Sequence, residues 1–191
     1  MPAYAACASA NFWRANLKPR MKKTIVSILL ALGACVSAQA AYTGASVGHL
    51  IDSEEAYISA RLGTSLNSTE NYVGNVEVEI GYTEDSDFGV TAKLIPITVN
   101  YRGELTGQGK WTPYYGVGAG LAEVKVSGFG ISASDTTFAG QVFGGVSYQA
   151  TDAASITIGA RYLYIEEVKL LGTKNNVGDD VSLEAGFSFR F

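Results

Sequence analysis

Glu184-Ala185-Gly186-Phe187-Ser188-Phe189-Arg190-Phe191 closes the chain and decides how the rest is read. Side chains alternate across a strand, so Phe187, Phe189 and Phe191 share one face while Ser188 and Arg190 share the other. One wholly apolar face backed by a charged one suits lipid outside and a polar lumen inside. The sequence ends on Phe191 with no polar tail after it, an odd place for a water-soluble protein to leave an aromatic ladder.

The opposite end reads as an address rather than as fold. Met21-Lys22-Lys23 is a basic start, and Thr24–Ala34 is an apolar run of 11 residues. A spanning helix needs about 20. Ala38-Gln39-Ala40 supplies a small-x-small cleavage site, which predicts a signal peptide over 21–40 and a mature chain beginning at Ala41. A buried core helix is the bland alternative, and the Lys22-Lys23 flank and the cleavage site argue against it. Leu32-Gly33-Ala34-Cys35 also resembles a lipobox, which would instead lipidate Cys35. Residues 1–20 read as an upstream extension ahead of a true initiator at Met21.

Cysteine and charge agree with export. Cys7 and Cys35 both precede the expected cut, so residues 41–191 offer no disulfide, thiol nucleophile or Cys-ligated metal. Those residues hold nine basic and 18 acidic side chains, a net of −9, which argues against nucleic acid as a partner.

Working back from the C-terminus, segments of about ten residues alternate between turn signals, and no amphipathic helical stretch interrupts them. The clearest are Tyr72–Tyr82, Phe138–Tyr148, Ala154–Tyr164 and Val181–Phe191. Ala56–Thr64, Val90–Tyr101 and Trp111–Leu121 follow, with Tyr42–Leu50 as a glycine-rich eighth. Pro96 has no N–H for a ladder, so a local bulge is expected there. An even strand number with short inner turns and longer outer loops is the rule for bacterial single-chain barrels. It puts outer connections at 51–55, 83–89, 127–135 and 166–180, and inner ones at 65–71, 102–110 and 149–153. The expected fold is therefore all-β, an eight-stranded antiparallel up-and-down transmembrane β-barrel over 41–191.

Aromatic spacing gives an independent reading. Tyr72 and Tyr82 lie ten residues apart on one face, as do Phe138 and Tyr148. Ten residues at about 3.3 Å, tilted by about 40°, rise roughly 25 Å, the height of an apolar membrane band. Tyr42, Tyr72, Tyr101, Trp111, Tyr148 and Phe191 would form the lower girdle; Tyr82, Phe138 and Tyr164 the upper. A soluble lipocalin-like barrel would need the reverse polarity, apolar inside and polar outside.

With these segments in place, the chain resembles the small outer-membrane β-barrel superfamily, typified by the transmembrane domain of outer-membrane protein A. The most specific match is the C-terminal β-signal at Glu184, Gly186, Phe189 and Phe191; Ile95–Gly103 and Phe138–Tyr148 match more loosely. The resemblance implies the barrel-assembly machinery and periplasmic chaperones as partners during biogenesis, and outer-membrane lipid and lipopolysaccharide afterwards. It implies the outer membrane of a Gram-negative-type bacterium as the location. No peptidoglycan-binding domain follows the barrel, so tethering to the cell wall is not implied.

The polar faces place Arg61, Arg161 and Arg190 in the lumen with Glu77, Glu79 and Glu184. Three charges of each sign suit a salt-bridge network, because an isolated buried charge costs several kcal/mol. Arg61 is expected to face Glu77, and Arg161 to pair with Glu184. An eight-stranded interior is just wide enough for side chains to fill, so a plugged lumen is expected rather than a wide pore. A narrow porin-like channel remains the alternative. Glu77 and Glu79, two residues apart on one face, have the spacing of an acid–base pair, but nearby arginines would keep both ionised. His49 has no Ser or Cys beside it and reads as a rim residue. The expectation is a monomeric, non-enzymatic barrel without cofactor and with a structural or surface-interaction role. A membrane-embedded lipid-modifying enzyme is the second alternative. Acidic outer loops (Asp52, Glu54, Glu55, Glu84, Asp85, Asp87, Asp135, Glu166, Glu167, Asp179, Asp180) raise the further idea of divalent cations bridging to lipopolysaccharide.

Overall fold

The computed structural model describes residues 41–107, 109–170, 173–175 and 177–191. The expected signal segment, with Ala38, Ala40 and the alternative lipidation point Cys35, lies outside them. Ala41 opens the first strand. Eight long strands run antiparallel: β1 Ala41–Leu50, β2 Ala56–Thr69, β3 Tyr72–Asp87, β4 Val90–Glu104, β5 Trp111–Gly128, β6 Ile131–Gln149, β7 Ala154–Ile165 and β10 Gly178–Arg190. Two short strands, β8 Val168–Leu170 and β9 Thr173–Asn175, pair with each other in the last outer connection.

Each long strand pairs with its neighbours in sequence, and β1 pairs with β10 from Tyr42↔Arg190 to Leu50↔Ser182, so the sheet closes into a barrel. Closure leaves no sheet edge, which a hydrocarbon environment requires of any strand that crosses it. Among the described residues no helix is long and apolar enough to cross a membrane.

The barrel is inside-out relative to a soluble one. Leu62, Val117, Val142, Ile158, Leu183 and Phe187 are half-exposed or more on the outer wall, while Asn75, Glu77, Asn100 and Ser182 are buried within. That polarity fits lipid outside and contradicts the lipocalin-like alternative.

Three local readings need correction. The expected outer loops 83–89 and 127–135 are mostly strand, turning only at Phe88-Gly89 and Phe129-Gly130. The strand signal fades there because both faces of a strand beyond the bilayer meet water, and apolar alternation no longer marks it. The inner connections expected at 65–71 and 102–110 shrink as well, because β2 runs to Thr69 and β4 to Glu104. Pro96 produces no bulge. It pairs with Ala122 in an unbroken ladder to β5, and towards β3 the register is the same at Ile80↔Ile97 and Thr83↔Leu94 on either side of it. The shift in register falls instead between Ser65 and Asn67.

The outward face generates a direct test. Ile158 is 69% exposed in the middle of the lipid-facing wall. Ile158→Arg should cost about 2–4 kcal/mol of stability in lipid, read from the urea midpoint of refolding into vesicles. Asp152→Arg, in the exposed turn before β7, should leave that midpoint unchanged.

Candidate functional site

The inward-facing residues form two storeys. The lower is polar. Arg161 on β7 stands opposite β3, with three strands intervening in either direction around the wall. Its guanidinium grips Glu184 on the neighbouring strand, Nε to Oε1 at 2.5 Å and Nη2 to Oε2 at 3.1 Å. It also crosses the lumen to pair with Glu79 Oε1 at 2.5 Å and donates to Gln141 Oε1. Glu184 accepts further bonds from Ser182 (2.8 Å) and Ser46 (3.1 Å). The planar fork of arginine makes this possible, since one side chain can address two carboxylates in fixed directions.

A second chain runs towards the periplasmic rim. Tyr42 donates to Glu77, and Arg102 lies 3.8 Å from the same carboxylate oxygen, with Tyr114 under its guanidinium at 3.9 Å. Arg102 Nε donates to Glu104 at 2.9 Å, and Arg190 reaches Glu104 at 3.4 Å. Gln141 ties the middle together by donating to Thr98 (2.9 Å) and Asn100 (2.7 Å).

The upper storey is apolar. Leu50, Tyr57, Val124, Leu163, Ile165 and Val168 pack inside the extracellular end, with Leu94 against them. Val168 comes from β8, so the last outer connection helps to fill the mouth. Tyr57 joins the storeys, because the Arg161 guanidinium lies 5.5 Å from its ring. A cavity beside Arg61, Tyr114 and Thr157 holds the centre of about one water, roughly 10 Å³.

Most of the lumen set expected from sequence therefore meets here: Glu77, Glu79, Arg161 and Glu184 in the core and Arg190 at the rim. Arg61 corrects the expected pairing. It sits in register with Glu79, and its Nε and Nη2 have no hydrogen-bond partner among the described residues. Glu77 is taken by Tyr42 and Arg102. Arg102 and Glu104 were hidden in an expected turn. The period-two run Thr98, Asn100, Arg102, Glu104 carries the signal that reveals them.

Tyr42 is not in the outer girdle. It is 4% exposed inside the barrel, above Gly63, where a Cβ would come within 2.6 Å of its ring. The other girdle residues lie on the outer wall. Tyr72 and Tyr101 share a hydrogen bond between their hydroxyls, and Trp111 packs on Tyr148 with ring centroids 4.8 Å apart. Tyr82 bonds Glu84, while Phe138 and Tyr164 are more than two-fifths exposed. Tyr115, 51% exposed, joins the lower girdle. Of the assembly-signal residues, Phe189 and Phe191 face outward, Glu184 belongs to the lumen network, and Gly186 is pressed against Ala45 O and Ser46. His49 is exposed near the top of β1.

Several outer acids have structural work. Asp180 accepts from Asp52 N (3.0 Å), Ser53 N (3.0 Å) and Ser53 Oγ (2.7 Å), Asp179 accepts from Tyr162, and Asp135 accepts from Lys169 N. Among the described residues no three His, Cys, Asp or Glu side chains are grouped to hold a metal.

A closed eight-stranded barrel with a lipid-facing wall and a filled polar lumen is an integral β-barrel of an outer membrane. Residues 26–191 match the family model described as outer membrane protein beta-barrel domain, and the chain belongs to that family. Among curated proteins, no sequence matches it. Solved structures share the fold. Neisserial surface protein A aligns over 80% of this chain and 96% of its own, with 22% identity and a TM-score of 0.61. The N-terminal barrel of Pseudomonas aeruginosa OprF aligns over 81% and 100%, with 16% identity and a TM-score of 0.51. The Yersinia pestis attachment invasion locus protein Ail aligns over 80% and 97%, with 15% identity and a TM-score of 0.52.

Two predictions follow from these contacts. Arg161→Met leaves Glu79 and Glu184 without their shared cation, and should cost about 3–5 kcal/mol in the urea midpoint. Adding Glu79→Gln and Glu184→Gln should recover part of that loss. At the outer rim, above the spanning part of β10, burial pushes the Asp180 carboxyl up, but the N–H donors of Asp52 and Ser53 outweigh it and hold it below the ordinary range. A lowered carboxylate adds stability that is fully present above its unfolded pKa, about 3.9, and lost as pH falls through the folded value. Protease nicking of the 51–55 turn should therefore rise only in acid, and Asp180→Asn should raise it at neutral pH.

Proposed function

We propose that this protein is a constitutively shut, non-enzymatic outer-membrane barrel of a Gram-negative-type bacterium, acting through its outer surface or as a structural element of the membrane. The observation that carries this reading is Arg161 spanning the lumen between Glu184 and Glu79 beneath an apolar lid. A conducting pore needs a continuous wet path, and here a charge-paired bar and a dry plug lie in series.

The enzyme alternative has weaker support. Glu77 and Glu79 are committed to Tyr42, Arg102 and Arg161, and exposed His49 faces away from them. The barrel works as a monomer, since closure satisfies its own strand edges. Its partners on this reading are outer-membrane lipid and lipopolysaccharide around the wall, with periplasmic chaperones and the barrel-assembly machinery, reading Glu184, Gly186, Phe189 and Phe191, before insertion. No cofactor enters this account. Cation bridging to lipopolysaccharide drops out of it, because Asp180, Asp179 and Asp135 already serve as hydrogen-bond acceptors within the fold.

Planar-bilayer recording tests the closed state. Purified protein should give no conductance steps above baseline, and reproducible unitary steps would overturn the reading. Mass spectra of lipid A from cells with and without the protein should be identical; a new acylation or deacylation product would revive the enzyme alternative.

A further inference from the structure

The outer ends of the barrel are unequal. β5 and β6 run for 18 and 19 residues, against 10 for β1. The ladders stay intact to the tips, through Asp87↔Val90, Val90↔Gly128 and Gly128↔Ile131. Strands β3 to β6 thus rise as one wall. From Leu121 in the lipid-facing column to Gly128 at the tip is about 18 Å at ordinary rise and tilt.

The wall ends in two matching turns. Phe88 (φ 47°) and Gly89 (φ 79°) close β3 to β4, and Phe129 (φ 48°) and Gly130 (φ 79°) close β5 to β6. Positive φ at both central positions is the tight turn that suits a twisted hairpin, and Asn or Asp normally takes the first place. A bulky side chain in the left-handed region is an outlier. It occurs twice, at neighbouring tips: a Cβ on Gly89 would lie 3.9 Å from the Phe129 ring. Neither ring contributes to the core, since Phe88 is 89% exposed, Phe129 84% and the adjoining Ile131 60%. The fold carries strained backbone to hold two apolar rings in water, at a place where Asn would make the same turn more readily.

We propose that the Phe88 and Phe129 turns form an apolar foot that inserts into an opposing zwitterionic lipid bilayer. This rests on the reading of the protein as a surface-acting barrel and names its target. The shape decides against a protein pocket as the first choice. The tips are convex, and the stretch Val126–Ser134 has no charge, so the Phe129 turn can enter a soft apolar layer without desolvating an ion, while Phe88 enters as a ring alone with Asp87 at the headgroup level. Aromatic rings are also favoured at the membrane interface. Charge selects the lipid. Beneath the rings lies a collar of both signs, Glu84, Asp85 and Asp87 with Lys93 and Lys125, of which Lys93 pairs with Glu84 at 2.8 Å. A mixed collar on a chain of net −9 over residues 41–191 complements neutral headgroups and repels anionic ones.

Flotation of the nanodisc-embedded barrel with vesicles tests this. Wild type should co-float with pure phosphatidylcholine vesicles, and several-fold less with vesicles containing about 30% phosphatidylserine at low salt. F88N and F129N should each weaken co-flotation about tenfold, and the double variant should fall to background. Asn is at ease in the left-handed region, so the variants should keep the gel shift between boiled and unboiled protein that marks a folded barrel. Loss of the shift in wild type would strike the barrel reading itself, a separate outcome. Independently, F129W should show a blue-shifted emission on phosphatidylcholine vesicles over the Trp111 background. No wild-type co-flotation, equal binding by the double variant, or an unshifted F129W spectrum would each overturn the proposal. So would Phe-dependent binding to a lysine–leucine peptide without binding to vesicles, which would point to a protein partner instead.

Discussion

Everything in this molecule depends on the pairing of β1 with β10. In hydrocarbon there is no water to satisfy an open strand edge, so a sheet that crosses a bilayer must close on itself. The closing ladder reaches to the rim, where the Phe191 N–H donates to the Ala41 carbonyl at 2.9 Å. That one seam makes the terminal phenylalanines intelligible. They form the outward face of the strand that meets the first, and the alternation that exposes Phe187 and Phe189 to lipid delivers Glu184 and Arg190 to the lumen side.

Closure fixes the diameter, and the diameter fixes what the interior must contain. At eight strands the lumen is side-chain-sized. Large residues are accommodated by small ones on the next strand: Tyr57 lies over Gly81 and Tyr42 over Gly63, positions where an added Cβ would overlap the ring. The polar residues cannot be dispersed, because a buried charge is tolerable only when paired. Three arginines and four glutamates are consequently threaded into chains, and Arg161 joins opposite walls. Packing and electrostatics both favour a shut lumen.

The sequence exposes this design where one face of a strand touches lipid, and hides it elsewhere. Tyr72–Tyr82 and Val181–Phe191 are legible because apolar and polar residues alternate strictly across them. The continuation of β3, β5 and β6 is not, since above the bilayer Ser, Thr, Asp and Lys suit either face and turn signals look like loops. Arg102 and Glu104 were masked for the opposite reason: polar residues beside glycine resemble a turn, although they extend the lumen face by one more period. Tyr42 shows the limit of residue type as a guide. An aromatic near a strand end suits a girdle, but register with Arg190 and Gly63 turns it inward, and register is a property of two strands together. The pairing of Arg161 with Glu79 lies further out of reach, because it joins strands that are never neighbours in the sheet.

On the proposed reading of a shut lumen, the question of function moves to the outside. The barrel wall needs only about ten residues per strand to span the membrane, and β1, with 10, has little to spare. β3 to β6 carry several more each, kept in register to the tip. Extra strand length above the bilayer adds nothing to membrane insertion, and the left-handed phenylalanines at its end oppose folding rather than assist it. The rings at the apex are also costly to leave in water. A paired wall holds its tip far more rigidly than a free loop would, so the two rings arrive already oriented and little entropy is lost when they bind. The same backbone hydrogen bonding that closes the sheet into a barrel thus extends upward to present its outermost residues at a fixed height and spacing.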